Sequence, residues 1–112
     1  MKYRIDTYIE FDKEFKRLSK KYHSLKSDLA ALVKELEQNP TLGTDLGNGL
    51  HKVRMSIASK GKGKSHGARV ITHTAIVSVE DGVITLLYIY DKADQDTISD
   101  KELIDLMKRF LL

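Results

Sequence analysis

The sequence predicts an α+β fold: a mostly antiparallel four-stranded sheet with an N-terminal helical hairpin packed on it and a C-terminal helix, in the order β-α-α-β-β-β-α. Two observations predict this class. Apolar residues recur at helical spacing near both ends of the chain, and they alternate with polar residues or form short apolar runs in between. The 112 residues also contain one proline and no repeat, so we expect a single domain over residues 1–112.

The first third of the chain predicts one strand and two helices. The strand has its apolar side chains at alternate positions, which are Tyr3, Ile5, Thr7 and Ile9. Each helix carries one apolar stripe, formed by Phe11, Phe15, Leu18 and Tyr22 and then by Leu25, Leu29, Leu32 and Leu36. Ser24 is the expected N-cap of the second helix, which ends at Asn39-Pro40 because the residue before proline disfavours helical dihedral angles.

The middle of the chain predicts a loop and two strands. Residues 41–49 contain three glycines and are expected to form a loop. In the second strand, Val53, Met55 and Ile57 alternate with polar or basic residues, which predicts one apolar and one cationic face. A glycine-lysine loop, SKGKGKSHG, separates it from a third strand over residues 69–79 that is rich in Val, Ile and Thr.

The last third predicts a hairpin and a helix. Asp81-Gly82 is typical of a two-residue turn, and residues 83–90 are apolar on both faces, which is typical of a strand covered on both sides. Ser99 and Glu102 fit a capping box that begins the C-terminal helix.

The basic residues are concentrated in one segment. Residues 46–79 contain six Lys and Arg and no acidic residue, so this segment is +6 in a chain of net charge +3. Such segregation indicates a polyanionic partner, most commonly nucleic acid. The absence of cysteine excludes a disulfide scaffold, a thiolate zinc site and a cysteine nucleophile.

A two-residue turn at Asp81-Gly82 would place several candidate side chains on one side of the sheet. In this register His73 faces Tyr90, and the shared side carries Arg69, His73, Tyr88, Tyr90 and Lys92. Lys52 and Arg54 also share a face, but the glycine-lysine loop hides whether it is the same one. RNA cleavage without a metal needs a base, an acid and cations around the phosphate, and this set fits a nuclease and an RNA-binding module equally well.

The segment GLHKVRMSIASKGKGKSHGARVI, followed by LLYIYDKADQDTIS, resembles the RelE/ParE toxin superfamily, most closely its HigB-like branch. The resemblance covers roughly residues 11–99. It implies the toxin of a type II toxin–antitoxin system, a metal-independent, ribosome-dependent mRNA endoribonuclease that inhibits translation and needs no cofactor. It also implies a cognate antitoxin, mRNA and the ribosome as partners, and operator DNA only through the antitoxin. The expected cytoplasmic location comes from the sequence itself, which has no apolar run of signal-peptide or membrane-span length.

The resemblance also assigns site residues by position. Lys52, Arg54, Arg69 and Lys92 match the catalytic cations. Independently of the resemblance, the basic loop and the shared side of the sheet supply the residues expected to contact RNA, which are Lys60, Lys62, Lys64, His66, His73 and Tyr90. One position departs: ribonuclease members carry a tyrosine soon after the last cation, and residues 93–99 have none. Tyr88 and Tyr90 are the candidates to replace it. The gap keeps two alternatives open, a ParE-like toxin that poisons DNA gyrase without cutting RNA and a plain RNA-binding module.

Other chemistries fit the sequence less well. The triplet Gly63-Lys64-Ser65 suggests a P-loop, but Ala58 stands where that motif needs glycine, and a strand is predicted where it needs a helix. The histidines are spaced too widely, without neighbouring carboxylates, to favour a metal site. No apolar run has the length of a signal peptide or a membrane span, so we expect no membrane contact.

Overall fold

The computed structural model describes residues 2–111, so the predicted domain of residues 1–112 extends one residue beyond the described part at each end. The elements are β1 (Lys2–Thr7), α1 (Ile9–Lys21), α2 (Leu25–Gln38), β2 (Thr44–Gly47), β3 (Leu50–Met55), β4 (Ala68–Ile76), β5 (Asp81–Asp91) and α3 (Asp100–Leu111). Two short 3₁₀ turns lie between β3 and β4. Within residues 2–111 no helix combines the length and the apolar character needed to cross a bilayer.

The sheet has the strand order β1-β5-β4-β3-β2. β1 runs parallel to β5 and every other neighbouring pair is antiparallel, which confirms the predicted α+β class. The predicted number of four strands is wrong, because β2 pairs with β3 inside the expected loop of residues 41–49. β2 has only four residues and is mostly exposed, so no alternation of apolar and polar residues marks it.

The two faces of the sheet bury two separate apolar cores. α1 and α2 cover the first face, called here the hairpin face, whose buried strand residues include Val53, Val70, Leu86 and Ile89. α3 covers part of the opposite face, called here the α3 face, whose buried residues include Leu50, Ile71, Leu87, Tyr90, Leu103 and Leu106. β5 supplies side chains to both cores, which confirms the prediction of a strand covered on both sides.

The pairing of β4 with β5 differs from the predicted register. The expected His73–Tyr90 pair is wrong, because Tyr90 faces Arg69 and His73 lies further along the sheet. The connection is a longer turn over residues 77–80, and a β-bulge that leaves Leu87 without a partner shifts the register again. The longer turn alone shifts the register by an odd number of residues, which would exchange the faces of β5. The bulge makes the total shift even, so Arg69 and Tyr90 still share the α3 face.

Of the two predicted helix N-caps, Ser99 forms the expected capping bonds and Ser24 does not. Ser99 and Glu102 form the expected capping box: the Glu102 amide donates to Ser99 Oγ at 3.1 Å, and the Ser99 amide donates to Glu102 Oε1 at 3.2 Å. Ser24 occupies the N-cap position of α2, but its side chain makes no capping bond and donates instead to Asp28 Oδ2 at 2.8 Å. At its other end α3 is tied to α1 by the guanidinium of Arg109, whose Nε donates to Glu10 Oε1 at 2.6 Å.

Candidate functional site

The pairing of β3 with β4 brings three cations together on the α3 face. Arg54 lies directly opposite Arg69, and Lys52 lies opposite Ile71, one position further along the same face. Side chains of directly opposite residues stand about 4.5–5.5 Å apart at Cβ, where like charges destabilise a sheet. The structure therefore places Lys52 and Arg54 on the face of Arg69, which the sequence left undecided.

These cations line a polar cavity of about 320 Å³ beyond the part of the face that α3 covers. Its lining residues are Thr44, Lys52, Arg54, Arg69, Lys92, Asp96 and Thr97. We call it the cationic cavity. All four side chains predicted to be catalytic thus reach one cavity, although their catalytic roles stay a prediction. Within residues 2–111, no carboxylate lies within ion-pair distance of Lys52, Arg54 or Arg69.

Arg69 is held rigidly although it has no acidic partner. It is 6% exposed, and its Nη1 donates to the backbone oxygens of Lys64 and Ala68, both at 3.1 Å, while Nη2 donates to Ser65 O at 3.2 Å. A guanidinium has five N–H donors, so Nε and one hydrogen of Nη2 remain without a protein acceptor here. That edge of the guanidinium has the geometry that binds two oxygens of a phosphate.

Among the described residues, Lys92 is the cavity cation that has an acidic partner. Its Nζ lies 3.0 Å from Asp96 Oδ1 and also donates to Asp96 O at 2.9 Å. The hydrogen bond and charge of Lys92 lower the pKa of the Asp96 carboxyl, and Arg69 and Lys52 lower it further. Asp96 is 90% exposed, so the ion pair is weak and an incoming anion can displace it. Sequence reasoning missed Asp96, although its spacing of four residues from Lys92 was visible.

The glycine-lysine loop supplies further cations, but not all of them are available. Lys60 is 13% exposed and its Nζ lies 2.5 Å from Oδ1 of the buried Asp91, so its predicted role in binding RNA does not fit this geometry. Lys62 and His66 are exposed and line a second cavity of about 400 Å³ that shares Lys92 with the cationic cavity. The two cavities therefore adjoin at Lys92.

Lys64 also lies at the edge of the site. Its Nζ makes a surface ion pair with Glu35 Oε2 at 3.2 Å, and its side chain lines a shallow cavity beside Lys52 and Arg54. Because both partners are half exposed, the pair contributes little and leaves Lys64 able to meet a second anion.

The aromatic candidates His73, Tyr88 and Tyr90 do not line the cationic cavity, although Tyr90 lies directly opposite Arg69. Tyr90 is 3% exposed in the core under α3, where burial raises the pKa of its hydroxyl. His73 packs edge-on against Phe110 of α3 at 5.4 Å between ring centroids, and burial lowers its pKa. Because α3 covers that part of the face, Tyr90 is buried and His73 is half-buried, and their contacts with RNA stay a prediction. Tyr88 is half-buried beside Tyr90 and does not line the cavity either.

Two further findings concern the loop and possible metal ligands. Residues 64–66 form a short turn and β4 follows, so the helix that a P-loop requires is replaced by a strand. In the described part of the chain no three His, Asp or Glu side chains are grouped closely enough to hold a metal ion.

Comparisons with known proteins give the family of this fold. A family model described as the RelE toxin of the RelE/RelB toxin–antitoxin system matches residues 9–109. Among solved structures, the E. coli toxin RelE in the free state, with two arginines changed to alanine, superposes with a TM-score of 0.61. It is 16% identical and the match covers 97% of this chain and 98% of that one, which shows a shared fold. No curated protein matches the chain. The HigB-like branch stays a prediction.

Proposed function

The chain belongs to the RelE toxin family, and from this premise we propose that it is a ribosome-dependent endoribonuclease that cuts mRNA and thereby inhibits translation. The observation that carries the proposal is the group of Lys52, Arg54 and Arg69, which share one face of the sheet without a carboxylate partner in residues 2–111. Such an arrangement is costly in the free protein and becomes favourable when an anion enters. A cavity lined by four cations and one displaceable carboxylate suits a single phosphodiester.

The proposed reaction is attack of the RNA 2′-oxygen on the neighbouring phosphorus. The new bond from this oxygen to phosphorus forms while the bond from phosphorus to the 5′-oxygen breaks, giving a 2′,3′-cyclic phosphate and a 5′-hydroxyl. A base takes the proton of the 2′-hydroxyl and an acid supplies one to the departing 5′-oxygen. The unoccupied edge of Arg69 and the guanidinium of Arg54 would bind the non-bridging oxygens, whose negative charge increases in the transition state.

Lys52 and Lys92 are the candidates for the two proton transfers. They line the same cavity as the two arginines, and lysine can exchange its proton whereas arginine keeps its charge. In this scheme the substrate phosphate displaces Asp96 from Lys92, which then approaches one of the reacting oxygens.

The site can be tested by cleavage of mRNA on translating ribosomes, read by primer extension. Wild-type chain should cut mRNA only when ribosomes are present, and Arg69→Ala and Lys92→Ala should reduce cutting about 100-fold or more, as loss of one transition-state donor does. Lys16→Ala, on the exposed face of α1, is the matched control and should retain wild-type activity. Circular dichroism should show that all variants fold. Full activity of both cavity variants would refute the site.

One observation favours a second candidate, a ParE-like toxin that poisons DNA gyrase. No aromatic side chain of residues 2–111 lines the cationic cavity, so the stacking and proton-transfer tyrosine of the ribonucleases has no substitute there. Under this alternative, induction in cells gives DNA-damage signals while mRNA stays intact. A plain RNA-binding module would leave growth unimpaired when the chain is expressed without a partner.

The family model describes the toxin of a toxin–antitoxin pair, the RelE/RelB system, which supports an antitoxin as the partner of this chain. We propose a small cognate antitoxin as the direct partner and contact with operator DNA only through it. Co-purification with the product of an adjacent short reading frame would test the pair. Operator binding by the complex, and not by this chain alone, would test the second part.

A further inference from the structure

One buried acidic group, Asp91 at the end of β5, has no place in the chemistry proposed above. It is fully buried and does not line the cationic cavity. Its Oδ1 accepts hydrogen bonds from Lys60 Nζ at 2.5 Å and from the Ala93 amide at 3.0 Å, and its Oδ2 accepts one from the Tyr22 hydroxyl. A buried carboxylate is retained only when its oxygens are satisfied in this way, so the contact with Lys60 is a well-formed buried ion pair.

Lys60 connects Asp91 to the glycine-lysine loop. Besides its ion pair, Lys60 Nζ donates to the backbone oxygen of His66 at 3.0 Å, so one side chain joins the start of the loop to its end. Between these points residues 61–66 are all exposed, and Gly61 and Gly63 have positive φ angles of 68° and 74°. The contacts that hold this segment from outside the loop are the hydrogen bonds of Arg69 to Lys64 O and Ser65 O and the surface ion pair of Lys64 with Glu35. Such a segment has many accessible conformations unless polar contacts select one.

The same loop holds two of the proposed catalytic cations. The backbone oxygens of Lys64 and Ser65 accept the hydrogen bonds that orient the Arg69 guanidinium. The backbone amide of Lys92 donates to Gly67 O at 3.1 Å. A change in the path of the loop would therefore move both the backbone oxygens that accept hydrogen bonds from Arg69 and the backbone of Lys92.

We propose that Asp91 is a positioning residue for RNA cleavage: through its buried ion pair with Lys60 it fixes the glycine-lysine loop and, with it, the orientation of Arg69. This inference rests on the proposed function. It predicts that breaking the ion pair lowers the rate of the chemical step more than it weakens substrate binding. The cations that attract the RNA remain, but their alignment with the phosphate is lost, and misplacement by about 1 Å can cost about 100-fold in rate.

The decisive variant removes both charges at once. Lys60→Met alone would leave the buried Asp91 charged with only the more distant Lys21, whose Nζ lies 3.9 Å from Asp91 Oδ2, and that variant can fail to fold for this reason. In Lys60→Met/Asp91→Leu the pair is replaced by apolar groups of similar size, which is often neutral or stabilising. Tyr22→Phe is the control, since it removes one hydrogen bond to Asp91 and keeps the aromatic ring whose centroid lies 5.2 Å from Lys60 Nζ.

The experiment measures kcat and KM for ribosome-dependent mRNA cleavage with full-length chain made by cell-free synthesis. We expect the double variant to melt at or above the wild-type temperature, to lose about 100-fold in kcat and to keep KM within about threefold. Lys60→Arg, which retains the buried cation, should restore much of kcat, and Tyr22→Phe should equal wild type. A folded double variant with wild-type kcat would overturn the inference.

Hydrogen exchange separates failure of this inference from failure of the proposed function. Amides of residues 61–67 should exchange faster in the double variant than in wild type, while those of β4 and β5 should not change. If the wild-type chain cuts no mRNA, the proposed function fails. Amide exchange of residues 61–67 in the double variant then decides whether the ion pair orders the loop, and affinity for a short single-stranded RNA tests whether binding is kept. Unchanged exchange in the double variant would overturn the inference in either case.

Discussion

Relief of repulsion in the cationic cavity should stabilise the free protein. Arg54 lies directly opposite Arg69 on neighbouring antiparallel strands, and neither has an acidic partner in residues 2–111. We choose Arg54→Gln because Arg54 is exposed, so the substitution leaves no cavity in a core. A directly opposed like-charged pair costs about 0.2–1 kcal/mol, and a gain of about half a kcal/mol would raise the melting temperature by roughly 2–4 °C.

The measurement is thermal unfolding followed by circular dichroism at low and high salt. Repulsion is screened as the Debye length falls from about 10 Å at 0.1 M salt to about 3 Å at 1 M, so the gain should shrink with added salt. Arg4→Gln is the matched control: Arg4 is also an exposed strand residue, but its Nε lies 3.0 Å from Asp6 Oδ1. The same change there removes an attraction and should give no gain.

The stabilised Arg54→Gln variant should bind RNA less well. In single-stranded RNA, losing one phosphate contact lowers the slope of log K against log salt concentration by about 0.7, and fluorescence anisotropy can measure this. Gain of stability with loss of affinity is the signature of charges held together for a ligand. A folded variant that melts below wild type at low salt would show that the two guanidinium groups do not repel each other.

Three further predictions test the elements that frame the site. Leu106→Ala should cost about 2–5 kcal/mol in urea unfolding, because Leu106 is 2% exposed and anchors α3. Ser99→Ala removes half of the capping box with Glu102 and should cost about 0.5–2 kcal/mol by the same assay. Burial lowers the pKa of His73 in the folded state, so the stability it contributes is complete above pH about 6.5 and is lost as pH falls below that value. Melting temperatures of His73→Gln should fall less steeply with acid than those of wild type.

Most of the fold could be predicted because its elements carry long, regular patterns. The apolar stripes of α1, α2 and α3 and the apolar run of β5 each extend over several turns or pairs of residues. What could not be predicted is local. β2 is too short to show a period, and a bulge at Leu87 depends on pairing with β4, which no segment shows by itself. The Asp81-Gly82 signal favoured a tight turn, but Gly82 is already paired with Ile76 inside the sheet.

The sequence indicated the cations of the candidate site but not the acidic residues that pair with some of the basic side chains. Lys52, Arg54 and Arg69 stand out in sequence because no acidic residue is near them in the chain. Acidic residues outside the basic segment pair with two of the predicted cations in the folded chain. Lys60 forms a buried ion pair with Asp91, and Lys92 forms an exposed one with Asp96 at the edge of the cavity. The burial of the aromatic candidates depends on where α3 packs on the sheet. The apolar stripe of α3 predicts that the helix packs on the sheet but does not specify which part of it the helix covers.

The position of the cavity follows from the antiparallel order of the strands. On the α3 face, β3 runs from the buried Leu50 to Lys52 and Arg54, and β5 runs from buried apolar residues to Lys92. β4 lies between them in the opposite direction and therefore has its cation, Arg69, first and its apolar residues later. Each strand thus changes from apolar to basic at the same end of the sheet. α3 covers the apolar end, because only there does burial lower the free energy, and the basic end stays open to an anion.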